Sequence, residues 1–248
     1  MLETTHDTGR KRRDVIIAVA VSILAEGAEA AILLSSGVHL SLAVAIGVQE
    51  VPLALVLVVL MTKWKWWRSA GWVAPQWRSL GLVWLPALLV VSQLAALRAV
   101  VAHHAAGSVA LAFVAACMVG FVEESWFRGL LFGALVPRGV VFAAIVSSLI
   151  FGLFHTSWLV SGASPLRTLA EIGVAFALGI MFAAARYRTK SIWPVVVLHT
   201  LTDFPGLLLT KQQVLNSGAL GSNVVFLVAI GLVYALILLR PSKRQVSL

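Results

Sequence analysis

Ala106 to Leu135 reads AGSVALAFVAACMVGFVEESWFRGLLFGAL, and this stretch decides how the rest of the chain is read. A helix needs about 20 residues to cross the hydrocarbon of a bilayer. This run exceeds that length and is apolar apart from three ionisable residues, Glu123, Glu124 and Arg128. Working outward, the same pattern recurs through 248 residues that are 60% hydrophobic, with a mean hydropathy of +0.97. A soluble domain cannot hide so much apolar surface, whereas a bilayer can act as its solvent. Runs bounded by charge or turn residues predict eight spans, at roughly 14–37, 39–62, 80–101, 106–135, 139–158, 166–187, 191–209 and 220–240. They are too long and continuous for barrel strands, and only helices or closed barrels satisfy backbone polar groups in lipid. The expected fold class is therefore all-α, a polytopic transmembrane helical bundle.

Charge sets the expected orientation. The chain carries 19 Lys and Arg against 10 Asp and Glu, a formal net charge of +9. With the first end inside, 15 of the 19 basic residues fall in inside segments, among them Arg10–Arg13, Lys63, Lys65, Arg68 and Arg186. Only Arg98, Arg167 and Lys211 lie near the outer side. By the positive-inside rule both termini are expected in the cytoplasm. Positive charge in short loops between spans reads as topology and contact with anionic lipid, so nucleic acid is not an expected partner. The Arg-rich start before an apolar run resembles a signal peptide, but the run is too long and ends in acids, so a retained span is expected. Thr62 to Trp77 holds five of the nine Trp interleaved with Lys and Arg, which reads as an interfacial anchor. The single cysteine, Cys117, excludes an intrachain disulfide and a Cys-based metal site. The domain reading is a basic tail at 1–13, one transmembrane domain at 14–240 and a short tail at 241–248.

The acids are more informative than the bases. Seven of the ten, Glu26, Glu29, Glu50, Glu123, Glu124, Glu171 and Asp203, fall inside predicted spans. A carboxylate in mid-membrane costs at least about 2.5–3.5 kcal/mol, so such residues face protein or a wet cavity and are functional candidates. At 1.5 Å per residue, Glu123 and Asp203 lie about 18 Å from the inner ends of their spans, His199 about 12 Å and His155 about 24 Å. One central site open to the cytoplasm accommodates all four. Glu26 and Glu50 also reach about 18 Å, so the first two spans could line the same cavity.

Three local patterns carry the chemistry. Glu124 and Arg128 are i,i+4 on one helix face, with the acid in the favourable N-terminal position, while Glu123 turns about 100° away. A structural ion cluster would leave one of the two adjacent carboxylates unneutralised. Phe151-Gly-Leu-Phe-His155 places a histidine in an apolar helix, ordinarily a packing residue. His199-Thr-Leu-Thr-Asp203 sets an imidazole and a carboxylate on one face, which fixes a tautomer. Three such groups on successive spans at compatible depths make separate structural explanations for each less economical than one shared site.

Taken in order, Glu-Glu-x-x-x-Arg, Phe-x-x-x-His and His-x-x-x-Asp resemble the CAAX protease and bacteriocin-processing (Abi) family of intramembrane glutamic proteases, which includes the Rce1-type prenyl-protein proteases. The resemblance covers roughly residues 109–206. It implies an eight-span core, a site reached from the cytoplasm, and peptide-bond hydrolysis by a water held between Glu123 and His155. It further implies Glu123 as general base, Glu124 and Arg128 as a structural pair, and His199 as donor to the oxyanion. The family's motif ends in Asn or Asp and its best-known members carry Asn where this chain has Asp203, which is assigned to orienting His199 and favouring its charged form. The implied substrate is a peptide or a protein, prenylated or not, beside membrane lipids. Glu123, His155 and His199 could also serve as zinc ligands, but no HExxH motif is present and the family is regarded as metal-independent, so no metal or cofactor is expected. Two other classes remain open. One is a proton- or cation-coupled transporter using the intramembrane acids, with Glu26, Glu29 and Glu50 as its best support. The other is a non-catalytic relative acting in bacteriocin immunity or as a scaffold.

Overall fold

The computed structural model describes residues 13–22, 40–160, 162–209 and 222–240, with isolated positions 24, 25, 27, 28, 32 and 35. Glu26 and Glu29 lie outside the described residues. Among those described, the chain is helical with no strand. Helix α1 covers 13–22. It is followed by α2 (Leu42–Lys63), α3 (Trp84–Ala102), α4 (Ala106–Glu124), α5 (Phe132–Leu135), α6 (Val140–Phe154), α7 (Ser157–Val160), α8 (Pro165–Thr189), α9 (Trp193–Leu207) and α10 (Ser222–Leu239). The ends follow local chemistry. Ser41 caps α2 through its hydroxyl, which accepts from the Val44 N–H. Ser164 caps α8 the same way, ahead of Pro165. Lys190, at a φ of 58°, stops α8 in the left-handed region.

Among the described residues, four segments are long and apolar enough to cross a membrane: Leu42–Lys63, Ala106–Arg138, Val140–Leu159 and Pro165–Thr189. The protein is an integral membrane protein built as a helical bundle. Three expected spans take a different form. The run from residue 80 begins as a 3-10 turn, Trp77–Val83, and becomes α-helical only at Trp84. Pro86 has no N–H to bond the Leu82 carbonyl, which opposes an earlier start. The run 106–135 is broken at Ser125–Leu131 by a π-helix, in which the Phe132 N–H bonds the Phe127 carbonyl five residues back. The run 191–209 yields the 15-residue α9, about 22 Å long.

Helix crossings place the site. α4 packs on α9 and α2, and α6 and α10 pack on α8. Where α4 meets α9, a Cβ on Gly120 would lie 2.6 Å from Thr200 Oγ1 and 3.1 Å from the Val196 carbonyl. Only glycine permits that approach, one turn before Glu124 and one residue after His199. The segment after α2 is more than an interfacial anchor. Trp64 and Trp77 are exposed, but Trp66 is buried and Trp72 folds inward, its indole N–H donating to Ser125 Oγ at 3.2 Å. The Ile192 N–H bonds the Gly71 carbonyl and the Ser191 hydroxyl bonds that of Val73. These bonds tie the segment to the start of α9.

Candidate active site

Glu124 is the centre of the polar cluster. It closes α4 at the start of the π-helix and is fully buried. Its Oε1 accepts from Arg128 Nη1 at 2.8 Å and faces His199 Nδ1 at 2.7 Å. Arg128, also fully buried, lies with its guanidinium carbon 4.0 Å from the Phe151 ring centroid and 5.6 Å from that of Phe182. Among the described residues its Nε and Nη2 make no hydrogen bond, and the π faces of Phe151 and Phe182 meet the rest of the cation. Room for it depends on Gly179 of α8, where an added Cβ would stand 2.7 Å from Ser148 Cβ and 3.1 Å from Arg128 Nη2.

His199, on α9, is held on both sides. With Nδ1 against Glu124, its Nε2 lies 3.2 Å from Asp203 Oδ2 and 3.6 Å from Glu123 Oε2. Both ring nitrogens thus face carboxylate oxygens, which suits a ring that donates from each. The rings of Phe151 and Phe182 flank it at 6.0 and 5.9 Å between centroids. Glu123 reaches the cluster from the neighbouring face of α4 and is 13% exposed, whereas Glu124 is at 0%. Counting charges, three carboxylates (Glu123, Glu124, Asp203) meet one arginine, Arg128, and one imidazole, His199, so even a charged ring would not balance them. One negative charge is left over, and Glu123 has the most distant cation.

His155 does not enter this contact network directly. It caps the C-terminus of α6, with Nδ1 3.1 Å from the Phe151 carbonyl. Its ring meets Phe151 edge-on at 5.1 Å. The Phe151 side chain therefore lies against His155, His199 and Arg128 at once. A donating Nδ1 leaves Nε2 with the lone pair.

Of the six candidates from the sequence, five are joined by direct contacts and His155 is their neighbour through Phe151. The role given to Asp203, orienting His199, is shared with Glu124, because the i,i+4 geometry of α9 left the Nδ1 partner on another helix. Among the other intramembrane acids, Glu171 pairs with Arg167 at 3.0 Å, and Glu50 is buried in α2. Among the described residues no three His, Cys, Asp or Glu side chains are grouped to hold a metal ion. The sequence reading missed Gly120, Gly179, Phe182 and the π-helix. Both glycines lie in apolar runs, and nothing local marks them as crossing points.

Two cavities adjoin the cluster. A large apolar one of about 710 Å³ shares α4 and α9 with it and is lined by Trp67, Trp72, Phe113, Phe121, Trp193 and Thr200, among others. A small one of about 10 Å³ lies against Glu123.

The comparisons with known proteins fall on the part of the chain that builds this geometry. Residues 105–205 match the family described as type II CAAX prenyl endopeptidase Rce1-like. A curated protein of Bacillus subtilis (strain 168), named "Putative membrane peptidase YdiL", is 30% identical over 111 residues, 44% of this chain and 41% of its own length. The chain thus spans about two fifths of the length of that curated relative. No solved structure matches. The stretch holding Glu123, Glu124, Arg128, His155, His199 and Asp203 is therefore similar to the Rce1-like type II CAAX prenyl endopeptidases.

Proposed function

We propose that this protein is an intramembrane endopeptidase of the CAAX-protease type, hydrolysing a peptide bond with a water activated by Glu123. The observation that carries the reading is the division of labour within the acid pair. Glu124 is paired with Arg128 and holds His199 Nδ1, while Glu123 has no arginine of its own and lies 3.6 Å from the same imidazole. A carboxylate with little solvent and a distant counter-ion is a stronger base than one in water. In the proposed reaction the water oxygen attacks the scissile carbonyl carbon and its proton passes to Glu123. The oxyanion forms within reach of His199 Nε2, which donates to it. Collapse breaks the C–N bond, and the proton held by Glu123 goes to the leaving amine. The similarity of residues 105–205 to Rce1-like endopeptidases supports this reading.

The apolar cavity beside α4 and α9 suits the hydrocarbon part of a substrate that is itself lipidated or membrane-embedded. Both termini and the approach to Glu123 are proposed to face the cytoplasm, on the strength of the charge distribution. The 14–240 segment is proposed as one transmembrane domain. The test is turnover of quenched-fluorescent peptides, farnesylated and unmodified, by purified protein in lipid nanodiscs. Wild-type protein should cleave and Glu123→Gln should not. Equal turnover by the two would sink the mechanism.

A further inference from the structure

The small cavity at Glu123 is lined by Val19 and Ser22 of α1, Leu53 of α2, Trp126, Phe127 and Phe154, among others. At about 10 Å³ it has the room of a single water molecule. Its polar lining is sparse. Its polar lining residues are Glu123 and Ser22, the latter buried. The third group is Trp126, whose indole N–H is buried and makes no hydrogen bond among the described residues. A buried indole N–H normally has a partner, and one water with two to four polar neighbours is the usual way a cavity this small satisfies such a group.

We propose that Trp126 and Ser22 seat the hydrolytic water against Glu123, which makes α1, far outside the 105–205 stretch, a part of the active site. This inference rests on the reading of Glu123 as base. The hydrogen-bond count closes on one water. The Trp126 N–H donates to one lone pair of its oxygen. The water gives one proton to Glu123 and the other to Ser22 Oγ. The second lone pair stays free to attack the carbonyl carbon. As Glu123 takes its proton, the oxygen keeps the Trp126 N–H bond, so the developing hydroxide is stabilised without reorganisation. Trp126 is suited to this because indole can donate but not accept, so it fixes the direction of the water. Both residues are water-positioning groups, and neither exchanges a proton with substrate.

The experiment uses full-length protein in nanodiscs with the farnesylated peptide as probe. Trp126→Phe keeps an aromatic side chain but removes the N–H with the pyrrole half of the indole, so kcat should fall about 10²-fold. Ser22→Ala should lower kcat about tenfold, while Ser22→Thr, which restores a hydroxyl, should recover most of it. In each case KM should stay within about twofold, and the melting temperature should be unchanged in Ser22→Ala and Ser22→Thr, since a packing defect would move it, whereas Trp126→Phe also removes buried volume and should melt lower. Independently of activity, the Trp126 indole N–H resonance of ¹⁵N-labelled protein, assigned by its absence in Trp126→Phe, should show a direct cross-peak to water. Filling the cavity with Ser22→Leu should abolish that peak. If Trp126→Phe folds poorly, the Ser22 series decides the kinetic arm. Wild-type kcat in both Trp126→Phe and Ser22→Ala, with Glu123→Gln inactive, overturns this inference alone. So does the absence of the water cross-peak. Full turnover by Glu123→Gln overturns the proteolytic reading and the inference with it.

Discussion

Replacing Glu124 by Gln should separate structure from chemistry within the acid pair. The carboxylate is fully buried and its Oε1 serves both Arg128 at 2.8 Å and His199 at 2.7 Å. The amide keeps the shape and one acceptor oxygen but removes the charge. Arg128, itself at 0% exposure, is then left without its counter-ion, and breaking a buried pair this way costs about 3–5 kcal/mol. For a chain of this length that is roughly 6–20 °C in melting temperature. Glu123→Gln should differ sharply. Its side chain keeps some exposure and lies 3.6 Å from its nearest cation, so the variant should melt within about 2–4 °C of wild type, the shift produced by about 1 kcal/mol. The assay is thermal unfolding in detergent followed by intrinsic Trp fluorescence, run beside peptide cleavage. The reasoning predicts a folded, inactive Glu123→Gln and a destabilised Glu124→Gln. A Glu124→Gln protein that melts with wild type yet has no turnover would refute it, and the roles of the two glutamates would have to be exchanged.

Gly179→Ala should destabilise by about 1–3 kcal/mol, because the new Cβ collides with Ser148 and crowds Arg128. The double variant with Ser148→Gly should regain part of the loss in the same melting assay, and no recovery would place the strain elsewhere. Asp203→Asn should retain turnover within about tenfold, since an amide oxygen still accepts from His199 Nε2, whereas Asp203→Ala should lose more. Equal turnover of the two would remove Asp203 from the orientation of His199. Reporter fusions after residues 63, 138 and 244 should all report the cytoplasm, as the distribution of basic residues predicts. An opposite signal at any one of them would overturn the orientation.

How much of this was legible in the sequence depends on whether the signal is local. The bundle was legible, because apolar runs near 20 residues long leave the backbone no other solution in lipid. The Glu124–Arg128 pair was legible for the same kind of reason, since i,i+4 contact is a property of one helix. The bond from Glu124 to His199 was not, for it joins residues 75 apart and exists only because α4 and α9 cross closely at Gly120. Helical spacing on α9 showed Asp203 beside His199 but could not show that a second carboxylate had already taken Nδ1. Once both nitrogens are occupied, the imidazole has no freedom to rotate, and its Nε2 is committed to the side of Asp203 and Glu123. The π-helix was equally illegible, because it follows from the packing around Ser125–Leu131, all of it buried, rather than from any residue with a preference for that geometry. Its position is consistent with function. Wide turns recur at functional sites, and this one begins immediately after the two glutamates. It carries Arg128 back under Glu124 and Trp126 to the wall of the cavity at Glu123. The irregular turn thus keeps the i,i+4 counter-ion that helical spacing had shown for Glu124 and adds a buried N–H donor beside Glu123, a placement that local periodicity could not have revealed.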